Sequence, residues 1–201
     1  MILNEEVDYK KVFLELEQEL KNIDDSGEVA SYIPEFVSVD PDKFGIHLMT
    51  TEKESFGFGD YDEKFSIQSI SKVLALSMAF ELEGEKLWSR VGVEPSGTPF
   101  NSLIQLEYEK GIPRNPFINA GTLVICDILV CRLKNPKTEF LEFVREISGN
   151  LDIYYSKKVA QSEKLTSYKN AALINLMKSY GNIKNDIDIV LDFIFLYVPS
   201  R

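Results

Sequence analysis

The first third of the chain carries two different hydrophobic patterns. Four apolar residues between positions 7 and 23 recur at spacings of three and four: Val12, Leu16, Leu20 and Ile23. This spacing predicts an amphipathic helix with a charged outer face. From 44 to 59, apolar residues alternate with others on both sides of a polar turn, which predicts a β-hairpin. We therefore expect a helix followed by a hairpin.

The rest of the chain has the pattern of a mainly helical structure. Apolar residues occupy nearly every position from Ile70 to Leu82, which predicts a buried, central helix. Residues 91–118 are rich in Pro and Gly, and a loop region of that length is usually functional. The remaining apolar segments predict helices at about 102–108, 120–132, 136–147, 167–180 and from 185 onward.

Composition narrows the class of protein and its partners. The chain has 201 residues, of which 44% are hydrophobic and 27% charged, an ordinary globular balance. Lys and Arg number 22 against 32 Asp and Glu, so the formal net charge is −10. Such an acidic surface repels phosphate backbones and anionic membranes. We therefore expect neither nucleic acid nor a membrane as a partner.

Cysteine content and the first residues predict a cytoplasmic location. Cys126 and Cys131 are the only cysteines, too few for a disulfide scaffold or a zinc cage of thiolates. Their apolar surroundings predict buried packing thiols. The start of the chain lacks the basic and apolar regions of a signal peptide, and no stretch approaches the roughly 18 apolar residues of a membrane span.

Ser69 and Lys72 form the sharpest candidate for chemistry. Residues three apart on a helix lie side by side, and the apolar run that follows would bury this face. Burial lowers the pKa of a lysine amino group, and a neutral amine can take the proton of a serine hydroxyl. Free backbone N–H groups at the start of a helix would also face a developing oxyanion. The pattern thus predicts a serine nucleophile activated by lysine.

The single histidine offers a different catalytic arrangement. A Ser-His-Asp triad would have to use His47. Its place in the predicted hairpin, on the face opposite Phe44 and Ile46, favours a half-exposed strand residue instead. The sequence contains no phosphate-binding loop and no dinucleotide-binding glycine pattern.

Several blocks of the sequence resemble those of the serine-dependent glutaminases, relatives of the serine β-lactamases and penicillin-binding proteins. The blocks follow the order and approximate spacing of that family: Ser31–Glu35, Phe65–Lys72, Gly92–Gly97, Phe100–Ser102, Pro116–Gly121 and Gln161–Glu163. The resemblance runs from about Val29 to Phe195 and covers most of the chain.

The resemblance implies a fold and a domain division. It implies an α+β, β-lactamase/transpeptidase-like fold, mostly helical here with an N-terminal β-hairpin because the C-terminal sheet strands are missing. The N-terminal helix would occupy residues 1–28 and a partial glutaminase domain residues 29–201. We expect a homo-oligomer, because the hairpin would leave an uncovered edge that invites strand pairing.

The resemblance also implies an activity and its residues. The family hydrolyses L-glutamine to L-glutamate and ammonia, without a metal or organic cofactor. By position, the residues implied to be catalytic are Ser69 as nucleophile, Lys72 as base and Tyr32 over the nucleophile. Those implied to bind the substrate are Ser69, Asn119, Glu163 and Asn170. The bare sequence also allows Asn119 to be a helix N-cap and Glu163 a surface charge.

Two departures from the family pattern leave the activity of the chain by itself open. Ile194 stands where the family has a tyrosine, and the pattern ends after Phe195, before a further active-site tyrosine and an oxyanion-hole strand. One alternative is a non-catalytic, truncated remnant that acts as a partner-binding or oligomerising module. A penicillin-recognising hydrolase is disfavoured, because the sequence lacks a Lys-Thr-Gly-like motif and a secretory signal.

Overall fold

The computed structural model describes residues 7–23, 27–31, 33–99, 102–196 and 199–200. The chain divides into two compact units, one of Met1–Ser31 with Phe36–Lys64 and one of Tyr32–Glu35 with Phe65–Arg201. The predicted boundary between residues 28 and 29 stays a prediction.

The first unit joins one helix to one hairpin, as the hydrophobic pattern predicts. Helix α1 (Tyr9–Leu20) precedes the antiparallel strands β1 (Gly45–Met49) and β2 (Ser55–Gly59). The half-buried face of the hairpin contacts α1 through aromatic rings, with Phe13 about 6 Å from both Phe56 and Phe58. Aromatic pairs at this separation stabilise beyond the area they bury.

The second unit contains seven α-helices within the described part of the chain. In order they are α2 (Ser71–Glu83), α3 (Leu103–Tyr108), α4 (Asn119–Arg132), α5 (Pro136–Ser148), α6 (Lys157–Thr166), α7 (Tyr168–Ser179) and α8 (Ile187–Leu196). A short antiparallel pair joins β3 (Tyr154–Tyr155) to β4 (Pro199–Ser200). The architecture is therefore α+β and mostly helical. None of the described helices has the length and apolar character needed to span a lipid bilayer.

The central helix of this unit is α4. Every residue from Ala120 to Leu129 is buried, and α4 packs against α2, α7 and α8. The prediction that the helix following Ser69 would be buried all round is wrong. Only Ser71, Ala75 and Ala79 of α2 are buried, at a spacing of four that lets small side chains approach α4 closely.

Two further features of the helical unit differ from the sequence predictions. Helix α6 was not predicted, because Val159, Ala160 and Leu165 form too sparse an apolar pattern. Cys126 is buried as predicted, but Cys131 is exposed near the end of α4.

The buried carboxylate of Asp127, on α4, binds both Arg90 and the loop before α8. Its Oδ2 accepts a hydrogen bond from Nη2 of Arg90 (2.5 Å), and its Oδ1 accepts from the backbone N–H of Asn185 (2.8 Å). Burial alone would raise the pKa of Asp127, but hydrogen bonds from Asn185, Arg90 and Lys184 bring it below its ordinary value. The loop before α8 is thereby fixed to the central helix.

We expect Asp127→Asn to lower the free energy of unfolding by about 3–5 kcal/mol at neutral pH, because Arg90 loses its buried counter-charge. The folded-state pKa of Asp127 is lowered, so this contribution is present at neutral pH and is lost as the pH falls through that value. Urea denaturation at neutral and acidic pH measures both effects. The exposed Asp152→Asn is the control, and an equal loss in that variant would contradict the account.

Candidate active site

Ser69 lies in a strained turn at the start of α2. It occupies the middle of a 3₁₀ turn, Gln68–Ile70, which runs directly into the helix, and it is exposed. Gln68 has a φ of 44°, a left-handed conformation that costs a non-glycine residue about 1–3 kcal/mol. The Ser71 hydroxyl donates to the Gln68 carbonyl (2.6 Å) and holds the turn. The turn therefore presents Ser69 at the surface at an energetic cost.

Lys72 lies in the first turn of α2 with its side chain half-buried. Its amino group donates hydrogen bonds to the carbonyl oxygen of Phe117 (2.9 Å) and to Oδ1 of Asn119 (2.9 Å). Burial lowers the pKa of Lys72, and the negative charge of Glu163 opposes this shift. A buried amine with a lowered pKa can exchange a proton with a neighbouring hydroxyl.

Asn119 connects Lys72 to a third helix. It is the first residue of α4, and its Nδ2 donates to Oδ1 of Asn170 on α7 (3.3 Å). The interpretation of Asn119 as an N-cap is wrong, because Ile118 occupies the cap position. A chain of hydrogen bonds therefore links α2, α4 and α7 through three side chains.

Glu163, on α6, carries the one buried side-chain oxygen or nitrogen atom that has no hydrogen bond in the described part of the chain. Its Oε2 is inaccessible to solvent and has no donor among the described residues. Burial raises the pKa of Glu163 to about 7, while the charge of Lys72 opposes the shift. An unpaired buried carboxylate oxygen suits a cationic ligand group. Its interpretation as a surface charge is wrong.

The structure thus assembles four of the six residues that the resemblance implies. Hydrogen bonds join Lys72, Asn119 and Asn170, and an electrostatic interaction joins Lys72 to Glu163. Ser69 lies one helical turn before Lys72, and no hydrogen bond of its hydroxyl is found among the described residues. Tyr32 lies outside the described residues.

The other residues that the sequence singled out lie in contacts that hold the fold together rather than in the candidate site. His47 contacts the Ser55 hydroxyl (2.9 Å) and stacks on Tyr61, as an outward-facing strand residue would. Ile194 is half-buried against the apolar core. The described residues contain no group of three or more His, Cys, Asp or Glu side chains suited to hold a metal.

Sequence reasoning missed two contributors to the site. The Phe117 carbonyl binds Lys72 through the main chain, which leaves no signature in residue type. The left-handed Gln68 also gave no signal, since glycine or asparagine is the usual sign of positive φ.

The fold places the chain in a known structural class. It is the β-lactamase-like α+β fold of solved glutaminase structures. One of them, a probable glutaminase YbaS, has a TM-score of 0.86 at 27% identity and covers 96% of this chain and 64% of that chain. Another, Mglu in its glutamate form, has a TM-score of 0.81 at 28% identity, covering 93% and 43%.

The family model for glutaminase matches residues 27–198, and the chain belongs to the glutaminase family. The glutaminase of Saccharophagus degradans is 56% identical over 94% of this chain, and that of Christiangramia forsetii 57% identical over 94%. The chain spans 62% of the length of each of these two relatives.

We expect the unusual pKa of Glu163 to make folding stability depend on pH. The folded protein holds a proton on Glu163 up to about pH 7, whereas an unfolded glutamate loses it near 4.5. The free energy of unfolding should therefore fall as the pH rises from about 4.5 to about 7, by at most about 3.5 kcal/mol, since each pKa unit corresponds to about 1.4 kcal/mol. Glu163→Gln should remove this fall.

Urea denaturation across this pH window measures the effect. The exposed Glu142→Gln is the matched control and should keep the wild-type slope. The same slope in Glu163→Gln as in the wild type would show that Glu163 is not the group responsible.

Proposed function

We propose that this chain binds L-glutamine and hydrolyses its side-chain amide to L-glutamate and ammonia. The observation that carries the proposal is that hydrogen bonds join Lys72, Asn119 and Asn170 beside Glu163, whose buried Oε2 has no donor among the described residues. All four are residues that the glutaminase resemblance implies. The high identity to relatives named glutaminases supports the same activity.

The polar groups of the site suit an α-amino acid. The buried carboxylate of Glu163 would accept hydrogen bonds from the substrate α-ammonium, a charge-assisted pairing. Asn119 and Asn170 carry amide donors that would bind the α-carboxylate without adding charge. The solved structure of Mglu in its glutamate form shows that a similar protein holds this kind of ligand.

The proposed reaction is acyl transfer in two stages. Neutral Lys72 takes the proton of the Ser69 hydroxyl as its oxygen bonds to the side-chain amide carbon. The C–N bond then breaks, the nitrogen receives the proton, and ammonia leaves a glutamyl ester on Ser69. Water, deprotonated by the same amine, attacks the ester and releases L-glutamate with restoration of the serine proton.

Two features of the turn around Ser69 support this role. The exposed hydroxyl is open to a substrate, and the turn leads into the N-terminus of α2, where backbone N–H groups favour a developing negative charge. The position of Tyr32 over the nucleophile stays a prediction.

The proposed steps require no metal or organic cofactor. The cytoplasmic location and the homo-oligomer also stay predictions. No contact in the described part of the chain specifically favours the alternative of a non-catalytic binding module.

We expect a glutamine analogue with an electrophilic group in place of the side-chain amide to form a covalent adduct at Ser69. Intact-mass and peptide mass spectrometry should locate one adduct on the peptide that contains Ser69. Ser69→Ala should abolish it, and Lys72→Met should slow its formation by about 10²-fold or more, because the proton acceptor is lost.

Ser77→Ala is the matched control, since Ser77 is an exposed serine on α2, the helix that follows Ser69, and should not affect labelling. An adduct at another residue, or undiminished labelling in Ser69→Ala, would refute the nucleophile. Ammonia release from L-glutamine by the same proteins then tests turnover.

A further inference from the structure

We propose that Asn115 is a positioning residue for Lys72, because its side chain fixes the turn that presents the Phe117 carbonyl to the lysine amino group. This inference rests on the proposed role of Lys72 as the proton acceptor. Asn115 itself has no hydrogen bond to Lys72 among the described contacts and acts through the main chain.

The side chain of Asn115 uses both ends of its amide. Its Oδ1 accepts hydrogen bonds from the backbone N–H groups of Phe117 (3.0 Å) and Ile118 (3.1 Å). Its Nδ2 donates to the carbonyl oxygen of Glu94 (2.9 Å). An asparagine that bonds to the main chain two residues later closes a turn, and this one also ties the turn to a neighbouring loop.

The same turn is held from its other side by the first turn of α4. The hydroxyl of Thr122 donates to the carbonyl oxygens of Pro116 (3.1 Å) and Ile118 (3.2 Å). A Cβ on Gly121 would lie 1.9 Å from the carbonyl oxygen of Asn115, so only glycine permits this approach. The turn therefore has little freedom to move away from α4.

Both acceptors of the Lys72 amino group lie on this fixed segment. The Phe117 carbonyl is in the turn, and Asn119 follows two residues later as the first residue of α4. The titratable groups that interact with Lys72 are Glu163 and Cys126, and neither belongs to the turn. Release of the turn would therefore change how Lys72 is held without changing those groups.

Competitive acetylation with trace acetic anhydride tests the inference on the full chain. Peptide mass spectrometry compares the reactivity of Lys72 with that of Lys86, an exposed lysine of the same protein. In Asn115→Ala, Lys72 should become about tenfold more reactive relative to Lys86, because an amine that loses a hydrogen bond to its charged form is more often neutral. This readout does not require glutamine turnover.

Two variants separate positioning from loss of structure. Asn115→Asp keeps the acceptor for both backbone N–H groups but loses the Nδ2 donor to Glu94, and its negative charge favours the charged amine. Any rise in Lys72 reactivity should therefore be clearly smaller than in Asn115→Ala. Asn150→Ala removes a similar side-chain acceptor, which receives the backbone N–H of Asp152 in the loop after α5, and should leave Lys72 unchanged.

Thr122→Val releases the turn from its other side and should also raise the reactivity of Lys72, so it decides the matter if Asn115→Ala does not fold. If Asn115→Ala folds, unchanged Lys72 reactivity in that variant would overturn the inference. If it does not fold, unchanged Lys72 reactivity in Thr122→Val would overturn it. An equal rise in Asn150→Ala would do the same. Failure of Ser69 labelling with a normal Lys72 response would instead count against the proposed function alone.

Discussion

The candidate site depends on the half-buried amino group of Lys72. Taking an ammonium group out of water is costly, and two hydrogen-bond acceptors, the Phe117 carbonyl and Asn119 Oδ1, offset part of that cost. Asn119 then extends the contact to α7 through Asn170. Helices α2 and α4 thus meet at one nitrogen atom, α7 is linked to it through Asn119, and the nearby carboxylate of Glu163, on a fourth helix, adds the opposite charge.

Helix α4 makes this convergence possible because it is buried along most of its length. Its first residue belongs to the site, and its middle carries Asp127, whose hydrogen bonds to Arg90 and Asn185 fix the loops around it. A buried ion pair between Asp127 and Arg90 thus fixes the surroundings of α4, whereas Oε2 of Glu163 has no hydrogen-bond donor among the described residues. An unsatisfied group of this kind is a common cost of a binding site that awaits its ligand.

The sequence predicted the parts of this protein that depend on local pattern. Periodicity located the hairpin and most helices, and the family resemblance implied Lys72, Asn119, Glu163 and Asn170, which the structure brings together. Helix α6 escaped prediction because tertiary packing, rather than an apolar stripe, stabilises it. The left-handed Gln68 and the main-chain role of Asn115 escaped as well, because residue type does not show how a loop closes.

Calorimetric titration with L-glutamate, in buffers of different ionisation enthalpy, tests most directly whether these side chains form one amino-acid site. Glu163 has a pKa of about 7 in the free protein, and the ligand α-ammonium should lower it. Binding just below that pH should therefore release a proton, and the release should vanish at higher pH and in Glu163→Gln. Binding without proton release in that range, or equally tight binding by Glu163→Gln, would contradict the account.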